Sequence, residues 1–401
     1  MPAMKFAWKP APPLSVEDYR RRARRKVPDM VWAYVDGGSD DMATLRENRD
    51  AFADWDLRAR CLTGNEGTGL GVEFAGRHLD LPVFLCPTGM TGLAHWTGEA
   101  AAARAAESAG TTAVISTSSS YTPEEIAAVT DRPHTFQLYA ATDPRTGTRE
   151  MTEGFLRRAR NAGFTALAVT VDVPVHGNRE REKRTGMGVP PTLRPRGIVD
   201  GALHPGWAWG FVRHGRTSGK MLVDGGGRGP VRGAKAGVES VKQLYRVMRP
   251  ELNWDDFSWM RDQWKGPLSI KGVLDPEDAA IAVDRGADAV WVSNHGGRQL
   301  DGARAAVRAL PAVVDRVGDR VPVYLDSGIR RGTDVVKALA LGATAVGIGR
   351  PYIYGLAADG ERGVRGVLEI LRQEISRTLT LMGVADVQDL TRDHVVPRHS
   401  I

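Results

Sequence analysis

The stretch SNHGGRQLDG, residues 293–302, sets a titratable base, His295, and a fixed cation, Arg298, on either side of two glycines, with Asp301 close behind. It follows AVWV, an apolar run that reads as a buried strand, so these polar groups stand where a strand ends. An imidazole with a pKa of about 6.5 accepts a proton at neutral pH, and a guanidinium grips a carboxylate through its planar fork. A base and a fixed cation side by side at a strand end are the parts from which proton-transfer chemistry on an anionic ligand can be built.

The elements that must carry them are legible from the apolar pattern. From residue 81, runs that read as strands alternate with helical patterns ending in glycine: LPVFLCPT (81–88), TAVIST (112–117), TFQLY (135–139), ALAVTVD (166–172), LSIKG (268–272), AVWVSN (289–294), VPVYLD (321–326) and AVGIGR (345–350). Eight such units argue for an α/β chain closed into a (β/α)8 barrel, with a doubly wound open sheet as the alternative. In a barrel the chemistry sits where strands end. Those ends read Thr88 and Gly89, Ser116, Gln137 and Tyr139, Thr170 and Asp172, Lys271, Ser293 and His295, Asp326, and Gly349 with Arg350. Lys271, inside an apolar strand, must meet an anion or an electron-rich group to offset desolvation.

DSGIRRGTD (326–334) and GIGRP (347–351) are glycine turns that enter helices, each with an arginine, on the two strands where barrels commonly hold phosphate. A phosphate site beside a lysine and several amides and hydroxyls suits a flat, phosphorylated electron acceptor, and FMN is the candidate. A nicotinamide dinucleotide more usually shows GxGxxG after the first strand, where this chain has LCPTGMTG.

Length and composition, 401 residues with 42% apolar, are read as a single domain over residues 1–401, with an N-terminal helical segment (15–55), a barrel (about 80–385) and a mobile loop (about 180–262). No apolar run approaches the roughly 18 residues of a membrane span and no secretory signal is evident, so a cytoplasmic location is expected. Cys61 and Cys86 suggest neither a disulfide nor a metal site. The net charge of +6 and the cluster YRRRARRK suggest nucleic acid, yet Ser15 and the acids after it read as the cap of a helix whose arginines are solvated, so no nucleic-acid partner is expected. In the long insertion, Trp207, Trp209 and Phe211 precede Arg213, Arg216, Lys220, Arg228, Arg232 and Lys235. That chemistry suits peripheral contact with an anionic membrane face, and an active-site lid is the competing reading.

SNHGGRQLD, together with YVDGGSDD, PTGM, QLY, TVDVP, KGV, DSGIRRG and GIGRPY, resembles the FMN-dependent L-2-hydroxy acid dehydrogenases and oxidases, from about residue 15 to 395. The resemblance implies oxidation of an L-2-hydroxy acid to the 2-oxo acid, with His295 as base and Asp172 as its carboxylate partner. It implies Arg298 and Arg179 on the substrate carboxylate, Tyr34 and Tyr139 on its oxygens, and Lys271 beside the flavin. For FMN it implies Pro87, Thr88 and Gly89 against the ring, and Ser116, Gln137 and Thr170 on its polar edge. Ser293 is implied for the ribityl chain, and Asp326, Gly328, Arg330, Gly349 and Arg350 for the ribityl and phosphate site. Glycine at position 89, where many family oxidases have alanine, favours a dehydrogenase that hands electrons to a quinone or other carrier rather than to oxygen. Ser118 and His176 stand where relatives carry bulkier or apolar groups facing the substrate. A homotetramer is the implied assembly, and oxidation of an amine or modified peptide is the alternative activity.

Overall fold

The structure, a computed structural model, describes residues 12–65, 67–141, 146–188, 192, 194–216, 221 and 251–398. Eight parallel strands form its centre: β1 (Val83–Leu85), β2 (Val114–Ser116), β3 (Thr135–Leu138), β4 (Ala166–Thr170), β5 (Leu268–Val273), β6 (Ala289–Val292), β7 (Val323–Leu325) and β8 (Ala345–Ile348). Their order is β1-β8-β7-β6-β5-β4-β3-β2, and a bridge from Leu85 to Ala113, beside β2, brings the two ends of the sheet together. The expected (β/α)8 barrel is therefore the observed fold. Each strand is buried on both faces, which is why its residues form an unbroken apolar run instead of alternating. The strands are mostly shorter than the runs in the sequence because the polar residues closing each run already belong to βα loops.

The barrel interior is aromatic: Phe84 packs edge-on against Trp291 at 4.9 Å and stacks with Phe74 at 4.2 Å between ring centroids. Phe74 comes from a hairpin, Val72–Phe74 paired with Arg77–Leu79. The hairpin closes the end where strands begin: Ala75 N donates to Tyr324 Oη (2.9 Å) and Asp80 N to the Gly110 carbonyl (2.8 Å). The opposite end stays open as the mouth.

Three helices precede the barrel: α1 (Val16–Arg24), α2 (Asp29–Asp36) and α3 (Ala43–Asp50). Ser15 caps α1, accepting from Asp18 N at 3.2 Å, and α1 arginines pair with acids, Arg20 with Asp36 at 2.8 Å and Arg21 with Asp18 at 2.9 Å. Around the barrel run α4 (Gly98–Ser108), α5 (Pro123–Ala127) and α6 (Glu150–Asn161), then α7 (Glu180–Thr185), α8 (Pro195–Ala202), α9 (Pro205–His214) and α10 (Trp254–Gln263) between β4 and β5. The later strands are followed by α11 (Pro276–Asp284), α12 (Ala306–Val317), α13 (Gly332–Ala340) and α14 (Arg350–Met382). Of the segment 180–262, expected as a loop, the described residues hold α7, α8, α9 and most of α10, while residues 217–220 and 222–250 lie outside the described residues. Glycine and tryptophan content hides α8 and α9, yet each has proline in its first turn, where the missing N–H costs nothing. Lys220, Arg228, Arg232 and Lys235 lie outside the described residues.

Helix α14 is broken at Asp359 and Gly360, the latter at φ 58 and ψ −139. The break folds the helix so tightly that a Cβ on Gly363 would sit 1.9 Å from the Gly355 carbonyl oxygen. Among the described residues no helix is long and apolar enough to cross a membrane.

Candidate active site

After β6 the chain turns through three consecutive left-handed residues, His295 (φ 57), Gly296 (φ 68) and Gly297 (φ 73). The two glycines are required sterically as well as conformationally. A Cβ at 296 would meet Arg350 Nη1 at 2.8 Å, and one at 297 would meet the Leu45 amide nitrogen at 2.6 Å. His295 takes the same conformation despite its Cβ, a strain of order 1–3 kcal/mol that persists where the surroundings over-determine the geometry. Asp301 proves structural: its carboxylate accepts from the Ala43 and Thr44 amides (3.1 and 2.8 Å) at the start of α3.

The turn aims the imidazole into the mouth. His295 Nδ1 lies 3.0 Å from Asp172 Oδ1, and Tyr139 Oη lies 3.4 Å from His295 Nε2. Burial lowers the His295 pKa below 6.5, with Asp172 opposing it. Burial likewise pushes Asp172 up, but His295 and Lys271 more than reverse this and hold the carboxyl below its ordinary range. The pair therefore rests as neutral imidazole beside carboxylate, with Nε2 able to take a proton and Asp172 placed to stabilise the cation that results.

Arg298 sits over the Tyr34 ring, 4.9 Å from its centroid, and donates to the Tyr34 carbonyl (2.7 Å) and to Glu182 Oε1 (2.8 Å). Arg179 donates to the Arg298 carbonyl (3.2 Å) and to Gln299 Oε1 (3.1 Å), and both arginines line the same cleft. Tyr34, brought to the mouth by α2, donates to the Gly89 carbonyl (2.8 Å). Glu182 is a residue the sequence reading passes over. It lies in the run REREKR, where a charged side chain reads as solvated, yet it is buried on α7 and pairs with Arg298. A glutamate one helical turn past Arg179 is the signal available in the sequence.

Lys271 finds its anion in Asp326, 3.0 Å away, and also lies 5.0 Å from the Trp291 ring centroid. Burial opposes its charge, but Asp326 and Asp172 prevail and raise its pKa. Gly272, at φ 107, makes a bulge in β5 and brings backbone against Asp172, where a Cβ would come within 2.6 Å. Ser293 does not line the mouth. It is fully buried and accepts from Lys271 Nζ (2.8 Å) and the His295 amide (3.1 Å), so it braces two residues expected to do chemistry while its own O–H is left to donate. Ser116, Gln137 and Thr170 form one hydrogen-bonded row: Ser116 Oγ donates to Gln137 Oε1 (2.8 Å) and Gln137 Nε2 to Thr170 Oγ1 (2.9 Å). Cys86 is buried near Asp326, and burial raises its thiol pKa well above 9.0, which removes it as a nucleophile.

Across the mouth, Arg330 and Arg350 make no ion pair with a carboxylate among the described residues. Arg350 donates to the carbonyls of Gly296 (2.9 Å) and Gly37 (2.6 Å), Arg330 to that of Ile329 (2.7 Å), and the Nε of each is buried without an acceptor. Burial lowers the Arg350 pKa to about 10, and Arg298 and Arg330 add to this. Half-buried cations beside each other, each with a buried Nε that lacks an acceptor, mark an anion site. Gly349 opens α14, and a Cβ there would meet nothing closer than 3.9 Å, so backbone and positive helix end face open space. Pro87, Thr88, Gly89, Ser116, Lys271, Asp326 and Gly328 line the same cleft, which encloses about 1400 Å³ of empty space including its opening. A flat ring with a phosphorylated tail fits this donor set: Arg330, Arg350 and the Gly349 helix end would hold the phosphate, and Lys271 would meet the ring. Ser118 and His176 also line the cleft, and burial drives the His176 pKa to about 3.

A (β/α)8 barrel with an anion cradle on its last two strands and a His–Asp pair beside clustered arginines defines a cofactor-dependent oxidoreductase. Residues 23–397 match the family model described as FMN-dependent dehydrogenase, and the chain belongs to that family, with FMN as its cofactor. It is 42% identical over 387 residues to the L-lactate dehydrogenase of Caulobacter vibrioides, covering 96% of this chain and 98% of that protein. It is 41% identical to the L-lactate dehydrogenase of Pseudomonas aeruginosa strain PAO1, covering 94% and 97%. Among solved structures, the monotopic membrane protein (S)-mandelate dehydrogenase superposes with a TM-score of 0.89 at 37% identity, covering 97% of this chain and all of that one. A lactate oxidase from Pediococcus acidilactici gives 0.80 at 32%, covering 97% and 96%.

Proposed function

We propose that the enzyme oxidises an L-2-hydroxy acid to the 2-oxo acid and passes the electrons to a quinone or another carrier in preference to oxygen. The observation that carries this reading is the convergence of His295 Nε2, Tyr139 Oη, Arg298 and Arg179 on one cleft. The two guanidinium groups hold the substrate carboxylate, and Tyr34 and Tyr139 meet its oxygens. His295 takes a proton and Asp172 stabilises the imidazolium, while Lys271 bears on the cofactor ring. Bound in the cleft, FMN supplies a two-electron acceptor. The relatives called L-lactate dehydrogenase make L-lactate the first substrate to test.

Peripheral attachment to the inner membrane face is part of the same proposal, supported by the monotopic relative and by Ile198, Val199, Leu203 and Trp209, which the α8–α9 hairpin leaves exposed. A homotetramer is the proposed assembly. The test is anaerobic mixing of the FMN-loaded protein with a panel of 2-hydroxy acids and amines, followed by reoxidation with oxygen or a quinone. Bleaching of the flavin by a 2-hydroxy acid and faster recovery with quinone are expected. Bleaching by an amine alone overturns the substrate class, and recovery as fast with oxygen overturns the acceptor.

A further inference from the structure

A second cavity lies behind the loop that follows β1. Thr88, Gly89 and Met90 face the active-site cleft, whereas His95 and Trp96 face this other space. Helix α14 is shared in the same way: Arg350 and Ile353 line the cleft, and Ala357, Ala358 and the break at Gly360 line the second cavity. Ile353 and Ala357 are about one helical turn, ~6 Å, apart. The two spaces thus stand back to back across one loop and one turn of helix.

One wall of the second cavity is flat and aromatic, and Arg25, Lys26, Asp359, Glu361 and Arg362 line another part of it. Trp207 and Phe211 stack with ring centroids 5.0 Å apart, and Trp207 Nε1 donates to the Leu93 carbonyl (2.7 Å), which fixes that ring. Trp96 stacks against His95 at 5.9 Å and against His214 at 3.8 Å. The cavity also offers a hydrogen-bond donor. His95 Nδ1 lies 2.7 Å from Thr97 Oγ1 and 3.3 Å from Thr97 N, and the tautomer in which Nδ1 accepts from both leaves the proton on Nε2. Burial lowers the His95 pKa and keeps that neutral form. At the opening Leu203, which lines the cavity and is 74% exposed, offers an apolar path beside the exposed Arg25, Lys26 and Arg362.

We propose that this cavity docks the electron acceptor, a lipophilic quinone, with its ring among Trp96, Trp207 and Phe211, a carbonyl oxygen accepting from His95 Nε2–H, and its tail leaving past Leu203. The proposal rests on the 2-hydroxy acid dehydrogenase reading above and assigns its acceptor a place. The overall balance closes: the hydroxy acid loses two electrons and two protons to become the 2-oxo acid, and the quinone takes up both pairs to become the quinol. An acceptor that enters past Leu203 reaches the wall of the flavin cleft without passing through the substrate opening, so both sites can be occupied together.

The experiment uses the FMN-loaded full chain and the variants His95→Phe, Trp207→Ala and Leu203→Glu. Anaerobic bleaching by the hydroxy acid is measured first, then reoxidation by decylubiquinone and, separately, by ferricyanide. Bleaching and ferricyanide rates within about twofold of wild type, with decylubiquinone reoxidation at least tenfold slower, are expected. Independently of turnover, decylubiquinone should quench tryptophan fluorescence of the wild type saturably and that of Trp207→Ala less, and an azidoquinone should label peptides containing Trp96 or Phe211. Equal loss with both acceptors, unchanged quinone rates in all three variants, or label confined to Thr88–Met90 overturns the site. Displacement of the label by phospholipid but not by decylubiquinone makes the cavity a lipid site and overturns it too. If no hydroxy acid bleaches the wild-type flavin, the functional reading fails instead, while quenching and labelling still decide whether a quinone binds here.

Discussion

At the scale of single residues, protonation of His295 sets the acid limb of activity. A base must be neutral to act, and burial depresses the pKa of this imidazole, so kcat/KM should fall as pH drops through a midpoint below 6.5. Asp172 opposes that depression, so Asp172→Asn should move the limb to still lower pH while reducing the plateau. His295→Gln should cost roughly 10²–10⁴-fold in kcat. A pH–rate profile with its acid midpoint at or above 6.5, or one that Asp172→Asn leaves in place, contradicts the assignment. Glu182 belongs to this scale as well. Its carboxylate holds one arm of Arg298 in a buried pair, so Glu182→Ala leaves that guanidinium without its acid, whereas Glu182→Gln keeps an acceptor. We expect Glu182→Ala to raise KM about tenfold or more with a smaller effect on kcat, and Glu182→Gln to recover most of the loss. Equal KM values for the three proteins in steady-state kinetics refute a positioning role.

At the scale of elements, the functional turn after β6 is held by a helix far away in the chain. Asn48 Nδ2 donates to Asn294 Oδ1 (2.8 Å), Asn294 Nδ2 donates back to Asn48 Oδ1 (2.7 Å), and both side chains are buried. The Ala306 amide also donates to Asn48 Oδ1 (3.2 Å), which ties in the start of α12. Asn48→Ala strands these groups without partners at about 1–3 kcal/mol each, partly offset by water. A clear fall in Tm by calorimetry is expected, together with slower flavin bleaching because His295 adjoins Asn294. An unchanged Tm would show that the pair contributes nothing net.

At the scale of the whole molecule, the barrel leaves one end plugged by the Phe74 hairpin and the other roofed by α2, α7 and the α8–α9 hairpin. The roof has two faces: inward it supplies Tyr34 and Glu182, outward it exposes Ile198, Val199 and Trp209. Apolar side chains facing water beside arginines suit an anionic bilayer surface. Replacing these three together with serine or glutamine should reduce co-sedimentation with phosphatidylglycerol vesicles at least tenfold, because burial of such side chains is worth about 1.5–3 kcal/mol each when complete. Flavin bleaching by substrate should be retained. Vesicle binding that survives the triple replacement removes the hairpin as the anchor.

The barrel and most of its site are legible in the sequence because both follow from local rules. Parallel strands buried on both faces must be apolar throughout, so polar residues such as Lys271 and Asp326 stand out at their ends, and a turn as tight as His295–Gly297 demands glycine. Other features depend on which distant surfaces meet. Tyr34 reaches the mouth only because α2 lies across it, Glu182 is buried only because Arg298 arrives from β6, and Ser293 braces Lys271 only because β5 and β6 lie side by side. Local pattern records whether a side chain is polar. Only the folded packing decides whether that polar group meets solvent, substrate or another charge.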